Sequence, residues 1–360
     1  MLHVTCYKKS MKLEDLFKYT LEKNASDLHI IPEYPPMIRI HDELLPIPGM
    51  TALTVADTKA HLEKVLAPPQ LDDLNTNREI DFGMEWEEVR FRINYYYTRG
   101  GLAGAFRLIP KKIKTLEELS MPATLHKLAK FSNGLVLLTG PTGEGKSTTI
   151  SALLNEINMV EKRHIITIED PIEFTYPIGK SLVSQRELHT DTHSWVKALK
   201  SVLREDPDVV LIGEMRDFET IQAAMTIAET GHLVFSSLHT NSTPEAINRI
   251  IDVFPPHQQN QIRTQLATVL RAVIYQRLIP NSQHNGRIPS LEVLFNTPAV
   301  SSLIREGKVF MLDNVLETGE EHEMILFEKY LSHLYKQGLI SREDTFKYAI
   351  RSKEIEKFMT

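Results

Sequence analysis

Apolar residues recur along the first hundred positions at two different spacings. Leu13, Leu16, Phe17 and Leu21 return at helical intervals, which predicts an amphipathic helix. After Asn24-Ala-Ser-Asp27, the run Leu28-His-Ile-Ile31 predicts a strand, stopped by Pro32, Pro35 and Pro36. Met37-Ile-Arg-Ile40 alternates and predicts another strand, ending at His41-Asp42-Glu43. A helix is expected over 55–66, closed by Pro68-Pro69. Ile80-Asp-Phe82, Val89-Arg-Phe-Arg-Ile93 and the run over 102–109 predict antiparallel strands around a loop at Gly100-Gly101. Together these elements make a small α+β domain over residues 1–110.

The pattern then changes. Pro110-Lys-Lys-Ile-Lys114 is short, basic and polar, and places a linker over 111–118 before a second domain over 119–360. Four runs there are apolar on both faces: Gly134-Leu-Val-Leu-Leu-Thr139, His164-Ile-Ile-Thr-Ile168, Val209-Val-Leu-Ile212 and Leu233-Val-Phe-Ser236. Runs of this kind suit strands buried in a parallel sheet. Helical stretches at about 146–159, 193–204 and 217–229 lie between them, and that alternation predicts an α/β fold. The last hundred residues read as mainly helical, with 256–278 the longest helical candidate.

Composition bounds the function more than the fold. A chain of 360 residues is long enough for two cores, and 42% hydrophobic with 24% charged residues is ordinary for a globular protein. A net charge of −6 argues against a surface dominated by contacts to nucleic acid or anionic lipid. The single cysteine, Cys6, excludes an internal disulfide and a four-cysteine zinc site, and fits a reducing compartment. No run approaches the roughly 18 to 20 apolar residues that span a bilayer. Residues 1–12 lack the apolar stretch of a secretory signal, so work at a membrane requires recruitment by a partner. Met11 reads as a natural start, with residues 1–10 an extension.

The clearest chemistry follows the first parallel strand. Gly140-Pro-Thr-Gly-Glu-Gly145-Lys146-Ser147-Thr148 sits between that strand and a helix, the context a phosphate-binding loop requires. Its glycines, Gly140, Gly143 and Gly145, let the backbone curl with amide N–H groups turned inward, and the helix adds its positive end. Pro141, Thr142 and Glu144 fill the loop, Lys146 supplies charge for the β- and γ-phosphates, and Ser147 offers its hydroxyl to Mg²⁺. ATP with Mg²⁺ is the expected ligand. Hydrolysis also needs a group that orients or deprotonates water. Glu214 follows the strand end Ile212-Gly213 and is the candidate, although taken alone it also reads as a solvated strand-end residue. Glu169-Asp170-Pro171-Ile172-Glu173 supplies three more carboxylates, for metal or water positioning or as a hydrophilic turn. His239 closes the fourth strand, as a phosphate sensor, a relay between subunits or a structural residue. Arg92 and Arg107 on predicted strands of the first domain, with Arg99 in the loop between them, are either surface arginines or groups that complete a neighbour's site.

These blocks together resemble the type II/IV secretion ATPase family, and most closely its type IV pilus retraction (PilT/PilU) branch, over nearly the whole chain from Ala25-Ser-Asp-Leu-His29 onward. The family's Walker A segment matches Gly140 to Thr148. Its aspartate box matches Ile168-Glu-Asp-Pro-Ile-Glu-Phe174, with the functional glutamate at Glu173. Its Walker B segment matches Leu211-Ile-Gly-Glu-Met-Arg-Asp217, with the catalytic glutamate at Glu214, and its histidine box ends at His239.

The resemblance implies a PAS-like domain joined to a RecA-like ATPase domain in a homo-hexameric ring, with ATP between subunits and Mg²⁺ held by Ser147 and Glu173. It implies that arginines at Arg92 and Arg107 reach the phosphates. It further implies a cytoplasmic protein at the inner membrane, acting on the pilus platform protein and on occasion with a paralogous retraction ATPase. Leu303-Ile-Arg-Glu-Gly-Lys308 resembles the retraction motif of this branch, with Leu303 where alanine is usual. The four-cysteine insertion of extension and type II secretion ATPases cannot exist here. Two other readings stay open on the residues: a nucleic-acid translocase on the same core, which the acidic charge disfavours, and an ATP-binding regulator that does not hydrolyse, which Lys146, Glu173 and Glu214 disfavour.

Overall fold

Leu13, Leu16 and Phe17 are buried on one side of α1 (Leu13–Glu22), where the helical spacing put them. The structure is a computed structural model describing residues 12–40, 43–87, 89–109, 112–283 and 285–359; Cys6, Met11 and Pro110 lie outside them. It divides into two compact units. One comprises the described residues of Met1–Lys112 together with Pro171–Thr175, the other Ile113–Asp170 and Tyr176–Thr360.

In the first unit α1 is followed by β1 (Asp27–Ile30), β2 (Met37–Ile40), β3 (Glu43–Pro46), α2 (Val55–Leu62), α3 (Pro68–Asn77), β4 (Glu79–Trp86), β5 (Val89–Thr98) and β6 (Gly101–Ile109). The strands form one antiparallel sheet in the order β3-β2-β1-β6-β5-β4. Alternation along β5 buries Phe91, Ile93 and Tyr95. Phe17 stacks on Phe91 at 4.7 Å between ring centres and meets Phe106 edge-on at 5.3 Å, which anchors α1 to the sheet. Two elements depart from expectation. All of β3 is exposed, so no apolar alternation announces it. Pro68 does not end a helix but opens α3 from its first turn, where a missing N–H costs nothing.

The second unit runs α4 (His126–Ala129), β7 (Gly134–Thr139), α5 (Lys146–Val160), β8 (His164–Glu169), β9 (Leu182–Glu187), α6 (Trp195–Val202), β10 (Val209–Ile212), α7 (Phe218–Glu229), β11 (Leu233–Leu238), α8 (Thr243–Asp252), α9 (Gln259–Val269), β12 (Leu270–Pro280), β13 (Arg287–Phe295), α10 (Pro298–Arg305), α11 (Leu312–Thr318), α12 (Phe327–Lys336), α13 (Arg342–Tyr348) and α14 (Ser352–Phe358). Its sheet has the order β13-β12-β7-β11-β10-β8-β9, parallel except for β13. Every residue of β7, β10 and β11 is buried, as strands covered on both faces must be. The expected helix over 256–278 is corrected: α9 stops at Val269 and the chain becomes the eleven-residue strand β12. An apolar run buried on both faces carries no period that separates strand from helix. Among the described residues, no helix is long and apolar enough to cross a membrane.

Candidate active site

Parallel pairing sets Thr139 beside Leu238, and Ile212 beside both Ser236 and Ile168. The C-terminal ends of β7, β11, β10 and β8 therefore share one edge, the edge at which open α/β sheets take ligands.

The loop 140–145 leaves Thr139 there and enters α5 with Gly145 as the residue before the helix. Gly140 has φ 146°, and a Cβ at that position would stand 2.4 Å from the Gln276 carbonyl oxygen. Only glycine lets the loop pass so close to β12. Lys146 is buried, and its Nζ donates to the carbonyl oxygens of Gly140 at 2.7 Å and Pro141 at 2.8 Å. Strand β12 props the loop from outside. Gln276 Nε2 donates to Glu144 O at 2.6 Å, while its Oε1 accepts from Thr149 Oγ1 at 2.8 Å. The Glu144 carboxylate accepts from Leu278 N at 2.5 Å and pairs with Arg277 Nε at 3.0 Å. A braced loop at a helix N-terminus, with one ammonium held against it, fits a polyphosphate. Ser147 is exposed at the start of α5, which suits a hydroxyl ligand of Mg²⁺. Among the described residues no three His, Cys, Asp or Glu side chains form a metal cage. Mg²⁺ does not need one, since it is commonly held by one or two protein oxygens plus phosphates and water.

Three of the predicted site residues meet in a line. Lys146 Nζ lies 3.4 Å from His239 Nδ1, and His239 Nε2 lies 3.0 Å from Glu214 Oε1. An ammonium can only donate, so Nδ1 is the acceptor and Nε2–H donates to the carboxylate: a neutral imidazole with its proton on Nε2. Burial lowers the His239 pKa, the Lys146 charge lowers it further, Glu214 opposes, and Arg216 lowers it again. Thr142 Oγ1 also approaches Nδ1, at 3.5 Å. Glu214 Oε2 takes Arg216 Nη2 at 2.8 Å, so each carboxylate oxygen carries a donor. Arg216 is 78% exposed, against 23% for Glu214, and an exposed ion pair of this kind is held weakly. The backbone beneath is fixed by Ser236 Oγ on Ile212 O and Ser237 Oγ on Gly213 O, both at 2.7 Å. Thr240 N donates to Thr139 Oγ1 at 3.0 Å and ties the loop after His239 to the end of β7.

Arg92, Arg99, Arg107 and Glu173 belong to the first unit. Glu173 pairs there with Arg92 at 3.5 Å. Arg92 and Arg107 face each other across β5 and β6, and Arg107 Nε donates to Asp27 Oδ1 at 2.9 Å. Arg99 is exposed and lies 3.7 Å from Glu33. Of the remaining aspartate-box carboxylates, Glu169 is turned inward, accepting from Thr167 Oγ1 at 2.6 Å and Gln185 Nε2 at 3.3 Å. Sequence reasoning missed Arg216, Gln276 and Arg277. The last two lay in the stretch expected to be helix, and a lone Gln-Arg pair inside the apolar run over 272–279 was the available signal.

The model of the family described as type II/IV secretion system protein matches residues 9–351. A twitching motility protein of Neisseria gonorrhoeae is 46% identical over 86% of this chain and 82% of its own length. The type IV pilus retraction ATPase PilT of Pseudomonas aeruginosa is 42% identical over 93% of this chain and 97% of its own. A crystal structure of the pilus retraction motor PilT with bound ADP superposes with a TM-score of 0.90 at 40% identity, covering 97% of this chain and all of that one.

Proposed function

The chain belongs to the type II/IV secretion system protein family and is an ATPase, and from that premise we propose that it is the motor that retracts type IV pili and drives twitching motility. The observation that carries the reading is the line Lys146–His239–Glu214, which joins the phosphate grip to the water-activating carboxylate through one neutral imidazole.

In this reading the amides of 140–146 and the Lys146 ammonium hold the β- and γ-phosphates of ATP. Ser147 would hold Mg²⁺, which would supply charge neutralisation at the phosphate oxygens. Glu214 orients the attacking water and accepts its proton as the γ-phosphoryl leaves ADP. The Nε2–H of His239 keeps the carboxylate aimed, and the exposed Arg216 is the partner that yields to water. Arg92 and Arg107 stabilise charge in a neighbouring subunit's site, within a homo-hexamer. The ring works at the cytoplasmic face of the inner membrane on the pilus platform protein, with a paralogous retraction ATPase as an auxiliary.

The test is deletion of the gene, followed by counts of surface pili and assays of twitching, with complementation by wild type and by Lys146→Ala. Excess pili without motility, rescued by wild type alone, support retraction. Loss of pili points to assembly instead, and ATPase activity strongly stimulated by DNA points to a translocase.

A further inference from the structure

The segment over 342–358 connects to the nucleotide site by two arms, one from the last residue of α13 and one from the residue before α14. The first arm starts at Tyr348, whose ring faces the Arg277 guanidinium at 5.1 Å. Arg277 in turn pairs with Glu144 of the phosphate loop. The second arm starts at Arg351, only 13% exposed, whose Nη1 lies 2.8 Å from Glu292 Oε2 and 2.9 Å from Glu328 Oε2, with Nη2 on Asp313. Glu292 and Glu328 are fully buried. The other oxygen of Glu292 accepts from Thr243 N at 3.0 Å and Thr243 Oγ1 at 2.8 Å, and so pins the first residue of α8. The chain between Thr243 and His239 is only three residues long, and Thr240 within it is bonded to Thr139.

Packing makes this segment a fixed support. Ile340 and Ile355 join Tyr275, Ile279, Phe327 and Leu331 in a separate apolar cluster against β12, the strand that props the phosphate loop. Glu328 Oε1 accepts from the backbone N–H groups of Ile350 and Arg351, so the turn between α13 and α14 is held at its backbone as well as its side chain. Two buried carboxylates near one guanidinium are tolerable only in an arrangement this fully bonded.

We infer that Tyr348 and Arg351 are positioning residues for the ATPase reaction: Tyr348 sets the phosphate loop through Arg277 and Glu144, and Arg351 sets His239 against Glu214 through Glu292 and α8. The two arms govern different steps. Slack in the loop weakens nucleotide binding, whereas slack behind His239 slows turnover with binding retained. The inference rests on the ATPase reading of the site.

The experiment compares the full chain with Tyr348→Leu, Tyr348→Phe, Arg351→Lys and Arg351→Ala, measuring affinity for fluorescent ADP, kcat and KM for ATP, and thermal stability. Tyr348→Leu loses affinity for ADP by about tenfold, the scale of one cation–π contact, and Tyr348→Phe restores it. Arg351→Lys keeps the charge but not the forked reach, and lowers kcat by about tenfold with ADP affinity unchanged. A role confined to stability moves the melting temperature of all four and leaves these constants alone, and that result overturns the inference. Should the Arg351 variants fail to fold, the Tyr348 pair decides: equal ADP affinity in Tyr348→Leu and wild type overturns it. A wild-type protein that neither binds nor hydrolyses ATP sinks the ATPase reading itself, a separate outcome from an active wild type matched by Tyr348→Leu.

Discussion

Glu214 has a donor on each carboxylate oxygen, and the two donors differ in kind. His239 is anchored between strand end and phosphate loop, while Arg216 is exposed. Glu214→Gln keeps the shape and the ATP grip but removes the proposed base, so hydrolysis falls by roughly 10²-fold or more with ATP binding retained; near-normal turnover removes Glu214 from that role. His239 adds a pH signature. Burial and then Lys146 push its pKa below the ordinary 6.5, so the folded chain takes up its proton at lower pH than the unfolded chain does. Between the two values the unfolded state binds more protons, and stability falls as pH drops through 6.5, levelling off only below the folded value. Protonation also breaks the acceptance at Nδ1 from Lys146. The acid limb of kcat/KM therefore lies below pH 6.5 and is lost in His239→Asn. An unchanged limb in that variant assigns the titration to another group. The sequence placed Glu214 and His239 at strand ends, but their contact needed the strand order β11-β10, which no local pattern encodes.

Among elements, the phosphate loop shows what geometry demands of a glycine. Gly140 and Gly143 both have positive φ, 146° and 81°, yet only Gly140 is pressed against backbone. A Cβ at Gly143 meets nothing within 4 Å. Gly143→Ala thus bears only the left-handed backbone cost, about 1 kcal/mol, and retains ADP binding. Gly140→Ala must displace β12 or the loop and loses ADP binding, as titration with fluorescent ADP will distinguish. Legible were α1, by its helical period, and β7, β8, β10 and β11, as short apolar runs alternating with the helices between them. Those that hid had physical reasons. An exposed strand such as β3 has no apolar face, and Pro at a helix start looks like Pro at a helix stop. β12 was the costly miss, since with it went Gln276 and Arg277, the residues that brace the loop.

At the scale of the whole molecule, the net charge of −6 belongs to a chain whose proposed partners are proteins. Arg107 is tied to Asp27 in its own unit, and the trans role proposed for it is testable by mixing. Arg107→Ala and Glu214→Gln subunits, each nearly inactive alone, regain activity together where an intact arginine meets an intact glutamate. No recovery at any ratio, with mixed rings verified by mass, removes Arg107 from that role. The strand that carries the phosphate loop is flanked by β11 and β12, whose pairing residues come about a hundred or more positions later in the chain. Contacts of such long separation form late, after loop closure has been met for most of the unit. The nucleotide therefore acts as a lock on a finished fold and not as its seed: saturating ADP leaves the refolding rate unchanged and slows unfolding, and ADP capture lags the return of helical signal in stopped flow.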